Sequence, residues 1–96
     1  MKIIKCLSEL IEEELEASKH YIDKALKYKD EYPETTDMWY MLSLDEMKHV
    51  DMNHNEVVKH INSYRAENGE PPEKMMFLYE YLHKKHIECA TEIRVM

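Results

Sequence analysis

The chain has 96 residues, enough for one domain (1–96) and one hydrophobic core, and it combines 44% hydrophobic with 34% charged residues, a single Gly and three Pro. That balance fits poorly with a loop-rich sandwich or a disordered tail and makes an all-α fold the expectation. The formal net charge of −7 argues against nucleic acid or an anionic membrane surface as the main partner, because both require cationic patches, and it favours small cations.

The chain begins "MKIIKCLSEL", whose apolar run is too short for a signal-peptide core, and no later run is long enough to span a bilayer, so a cytoplasmic protein is expected. Cys6 and Cys89 are distant in sequence and belong to no CxxC pair. They define neither a zinc site nor a disulfide framework and read as reduced thiols of a core or an interface.

A first helix is expected from about Ile3 to Lys29. At about 100° per residue, Ile4, Leu7, Ile11, Glu14, Ser18, Tyr21, Ala25 and Tyr28 form one stripe, while Glu12, Glu13, Glu16 and His20 point away. The break "KDEYPETTD" places Pro33 in a first turn and offers Thr35, Thr36 and Asp37 as caps. The second helix, from Pro33 or Thr36 to Glu67, aligns Trp39, Leu42, Glu46, Asn53, Val57 and Tyr64, with Val50 and Ile61 on one border and His49 on the other.

"ENGEPPEK" then supplies an Asn68-Gly69 stop, and Glu73 suits the positive end of a new helix. That third helix, Pro72 to Arg94, aligns Met76, Tyr79, Leu82, His83, His86, Ile87, Ala90 and Ile93, with Glu80 at the edge. Each predicted helix therefore carries polar groups on its inward face. Burying an unpaired carboxylate or imidazole costs several kcal/mol, so such groups should be paired with each other, hydrogen-bonded or bound to metal.

Glu-x-x-His on a helix puts both side chains on one face, where they can converge on a cation. With 15 Glu and 6 His in the chain, about one such motif is expected by chance, and two occur, Glu46/His49 and Glu80/His83. Position on the stripe adds the information that spacing lacks. Glu46 lies among Trp39, Leu42 and Val57, and Glu14 lies among apolar and small residues one helix earlier. An antiparallel hairpin turning at "YPETTD" brings the two carboxylates together near mid-height.

The segments "EEELEASKHYIDKALKY" and "LSLDEMKHVDMNH" resemble the first metal-binding hairpin of the ferritin-like superfamily, especially rubrerythrins and the short encapsulated ferritins. The match runs through Glu14, Ala17 and Tyr21 and then Glu46 and His49, over roughly the first two-thirds of the chain. The resemblance implies a centre of two iron ions, with manganese as the alternative metal, and oxidase, peroxidase or ferroxidase chemistry with O2 or peroxide. Its metal ligands are Glu14, Glu46 and His49, and Tyr21 is either a hydrogen-bond donor behind them or a core ring.

A complete ferritin-like bundle has four long helices, and only three are expected here. A two-fold dimer, or a higher even homo-oligomer, doubles Glu14, Glu46 and His49 into four carboxylates and two imidazoles, the set that a dinuclear carboxylate site requires. Short encapsulated ferritins form their site in this way as a family. The competing arrangement takes Glu80 and His83 as the second half-site within one chain. The closing "TEIRVM" carries no clear capsid-targeting signal.

Metal-free alternatives stand beside these. Glu46 and His49 form an intrahelical pair at a polar seam, His83 and His86 are hydrogen-bonded core or interface histidines, and His20, His54 and His60 face solvent or an interface. The eight Met residues supply adaptable packing in a core and a subunit interface. The expected activity is Fe(II) oxidation at a site shared between subunits. Its rivals are a metal-free helical assembly module with a buried Glu/His network and a pH-responsive helical switch built on His49, His83 and His86.

Overall fold

The computed structural model describes residues 2–94; Met1, Val95 and Met96, and with the last two the end of "TEIRVM", lie outside the described residues. The described residues form helices α1 (Lys2–Tyr28), α2 (Pro33–Asn68) and α3 (Glu73–Arg94), running up, down and up, and include no strand. At 1.5 Å per residue the 36-residue α2 is roughly 54 Å long, and it sets the 55 Å long axis of a body only 18 by 17 Å across. No described helix is long and apolar enough to cross a membrane.

The breaks work through backbone hydrogen bonding. Pro33, which has no N–H to leave unpaired, opens α2, and Glu34 meets the positive end of the helix. Thr36 does not cap α2 as the sequence suggested. Its hydroxyl donates across the hairpin to the Ala25 carbonyl at 3.3 Å, and the Tyr32 N–H donates to the Tyr28 carbonyl at 2.9 Å, so two of the orphaned carbonyls ending α1 are satisfied. At the other break Gly69 takes φ +82° and donates its N–H to the Arg65 carbonyl at 3.1 Å, a left-handed termination that a side chain would strain.

α1 and α2 meet closely at two serines that are both wholly buried, Ser18 and Ser43. The Ser18 hydroxyl donates to the Ser43 carbonyl at 3.2 Å. The contact between Ala25 and Thr36 lies seven residues further along α1 and seven back along α2 (18 to 25, 43 to 36), so one antiparallel register runs through the hairpin. Ile4, Ile11, Leu15 and Ile22 pack there with Met47, Val50, Val57 and Ile61, and α3 adds Met75, Leu82, Cys89 and Ile93.

α3 lies mainly along α1. Its Lys85 approaches Glu12 at 3.8 Å, and its buried Cys89 thiol donates to the Ser18 hydroxyl at 3.5 Å. Burial pushes the Cys89 thiol pKa up, against the smaller opposite pull of that hydrogen bond, so this cysteine is a neutral packing group. Cys6, by contrast, is exposed and not a core thiol.

The position of α3 corrects the expected faces. In α1, Ile4, Ile11, Ser18 and Ala25 are buried as anticipated, but Ser8, Leu15 and Ile22 complete the core while Leu7, Glu14, Tyr21 and Tyr28 are half-buried at its border. In α2 the core line is Ser43, Met47, Val50, Val57 and Ile61, which moves Trp39, Leu42, Glu46 and Asn53 to the border and leaves His49 exposed. In α3, His83 and Ile87 are exposed, and Met75 and Cys89 are buried in their place. Both hairpin helices are thus turned toward the groove that α3 fills.

Burial sorts the apolar side chains energetically as well. Ile22→Ala opens a cavity in the seam and is expected to lower unfolding free energy by about 2–5 kcal/mol, because Ile22 is 1% exposed. Leu26→Ala, at a side chain 47% exposed, is expected to stay within about 0.5 kcal/mol of wild type. Paired denaturant titrations of the two variants check the contrast.

Candidate metal centre

On the side of the hairpin away from α3, Glu14 of α1 meets Glu46 and His49 of α2. One potential ligand atom from each lies within 4.8 Å of the other two. The hairpin register makes this possible. Glu14 is one turn before Ser18 and Glu46 is three residues after Ser43, so the serine contact delivers both carboxylates to the same level and border. Glu46 and His49 are neighbours on one helical face, with Nδ1 of His49 3.7 Å from Oε2 of Glu46; the Glu46 side chain is 23% exposed and that of His49 55%.

Asn53 closes the group from the next turn of α2. Its Nδ2 donates to both oxygens of Glu14, at 3.3 and 3.2 Å. An ionised carboxylate offers about four lone-pair sites, so this contact fixes its orientation and leaves acceptor capacity for a cation. Burial raises the Glu14 pKa above the ordinary carboxylate range. The Asn53 hydrogen bond and the nearby His49 oppose that rise, and Glu46 and Glu13 add to it.

Two carboxylates and one imidazole make an oxygen-rich donor set with a formal charge of −2, suited to divalent iron or manganese. Their convergence matches the grouping expected from sequence for Glu14, Glu46 and His49. Tyr21 is half-buried on the same face of α1 two turns on, but the side chain that reaches Glu14 is Asn53. Asn53 stood on the predicted α2 stripe without a role, because its partnership with Glu14 depends on inter-helix register.

Glu80 and His83 do not join this group among the described residues. Glu80 is exposed, and the His83 ring stacks on His54 and Tyr79, with centroids 5.3 and 6.0 Å away. His54, expected to face solvent or an interface, is half-buried in a second polar cluster between α2 and α3. There its Nε2 shares a 3.2 Å hydrogen bond with the Tyr79 hydroxyl, and Nε2 of His86 lies 3.0 Å from Oδ1 of Asp51. Burial lowers the His54 pKa, the neighbouring His83 and His86 lower it further, and Asp51 partly offsets them, so the imidazole resists protonation.

Comparison with family models, curated proteins and solved structures finds no match to this chain.

The raised Glu14 pKa has a definite consequence for the metal-free chain. The folded state holds this proton more tightly than the unfolded state, so the contribution to stability is fully present below about pH 4.3 and is lost as pH rises through the higher folded value. In chelator, Glu14→Gln is expected to melt above wild type at pH 7, with the gap closing below about pH 4.3. Melting temperatures of both proteins across that range provide the check.

Proposed function

We propose that this chain is a di-iron carboxylate protein of ferritin-like type, in which a second copy completes the centre and Fe(II) is oxidised by O2 or peroxide. The observation that carries this reading is the convergence of Glu14, Glu46 and His49 within 4.8 Å on the hairpin face that α3 leaves open. One chain supplies two carboxylates and one imidazole. Two chains related by a two-fold axis supply the four carboxylates and two imidazoles of a dinuclear site.

The surrounding surface supports a second copy as the occupant of that face. Exposed Ile3, Leu10 and Met38 lie on it, with half-buried Leu7, Tyr21 and Leu42 between them. Its apolar flanks and acidic centre are self-complementary once cations neutralise the carboxylates.

When bound, the iron pair supplies the electrons and the site for the oxidant. The chain's own groups do the rest. Glu46 and Glu14, the latter oriented by Asn53, would hold the ions through carboxylate oxygens, and the more exposed His49 would supply a nitrogen donor. The same Asn53 bonds also favour a metal-free reading, because they satisfy Glu14 without an ion and would suit a polar network that specifies assembly.

Anaerobic loading with Fe(II), followed by gel filtration and elemental analysis, separates the two readings. The di-iron reading predicts about two iron ions per dimer, a fall to background in Glu46→Ala and His49→Ala, no change in Glu80→Ala, and loss of Fe(II) on admitting air. Iron at background in the wild-type chain, with Glu46→Ala altering only assembly or stability, would leave the metal-free module.

A further inference from the structure

We propose that Asp51 and His54 of α2, with His83 and His86 of α3, form a separate interhelical site for a borderline divalent ion of the Zn2+ class. The observation is a matched pair of i, i+3 couples on antiparallel helices. Asp51 faces His86, with Oδ1 and Nε2 3.0 Å apart, and one turn along His54 faces His83, with ring centroids 5.3 Å apart. His54 and His86 also meet edge to face at 5.8 Å. Two donor side chains from each helix thus neighbour one another along the α2–α3 contact, with the Asp51 and His86 atoms already close.

The donor set selects the ion. Three imidazoles and one carboxylate are nitrogen-rich and suit a four-coordinate Zn2+, whereas the Glu14, Glu46 and His49 group is oxygen-rich. Two ligands at about 2.1 Å on a tetrahedral ion stand roughly 3.4 Å apart, close to the spacing that Asp51 and His86 already have. Bringing in His54 and His83 asks for rotation of their side chains, and His83 is exposed.

Tyr79 strengthens the assignment. With hydrogen on Nε2, His54 donates to the Tyr79 hydroxyl across their 3.2 Å contact and keeps its Nδ1 lone pair free, which is the arrangement ordinarily found behind a ligating histidine. Burial beside two other imidazoles lowers the His54 pKa and so favours the neutral form that a metal requires. An ion there would fasten α3 to α2, the helix it touches least.

The site stands independently of the di-iron reading, and one set of titrations of the full, chelator-treated chain tests it. Zn2+ uptake is followed by calorimetry, and Co2+ serves as a visible probe of four-coordinate geometry. The expected result is one tight Zn2+ per chain that persists in Glu46→Gln, with the strong visible bands of tetrahedral Co2+. In His83→Gln and His86→Gln the affinity should fall by more than the about 10–100-fold that losing an outer partner of a ligand costs.

Three results overturn the proposal: no Zn2+ binding by the wild-type chain, equal binding by the wild-type and histidine variants, or binding lost in Glu46→Gln and kept in both histidine variants. Circular dichroism confirms folding of each variant. If His86→Gln unfolds, the exposed His83 decides.

Discussion

The contact of Ser18 with Ser43 is the constraint on which the rest of the molecule depends. Two small, wholly buried side chains let α1 and α2 approach there, and the hydroxyl-to-carbonyl bond between them ties the helices in a single antiparallel register. A one-residue slip would turn either helix by about 100° and separate Glu14 from Glu46. The Cys89 thiol on the same Ser18 hydroxyl makes this the point where all three helices meet.

Three rods enclose one seam and cannot enclose two. Because α3 packs on the side of α1 that carries Glu12, through Lys85 and Cys89, the opposite border, with Glu14, Asn53, Glu46 and His49, stays open to solvent or to another chain. On that border Glu14 is half-buried, which raises its pKa, while His49 remains exposed. A centre in this position is reachable by an incoming ion, and on the proposed account it is closed by assembly rather than by a fourth helix. The histidines of α3 instead meet Asp51, His54 and Tyr79 on the far side of the hairpin.

The helices were legible in the sequence because Pro33 and Gly69 act locally, through a missing N–H and a left-handed φ. The grouping of Glu14, Glu46 and His49 was legible as well, since two stripes and one turn suffice to bring them level. The rotational setting of α2 was not. Ser43 scores as polar and Trp39 as apolar, yet the close helix contact favours the smaller side chain at its centre. Nor could the pairing of Asp51 with His86, or of His54 with His83, be read, because both depend on the register of α3 against α2 and neither helix encodes that alone. The bond from Asn53 to Glu14 depends likewise on register, that of α2 against α1.

The central claim is that the metal centre belongs to a pair of chains. Native mass spectrometry of the chain loaded with Fe(II) in the absence of oxygen tests it most directly. The account predicts particles of an even number of 11.6 kDa chains carrying one iron ion per chain, with the iron lost when His49 is replaced by Ala. Single chains that carry iron, or paired chains that carry none, would contradict it.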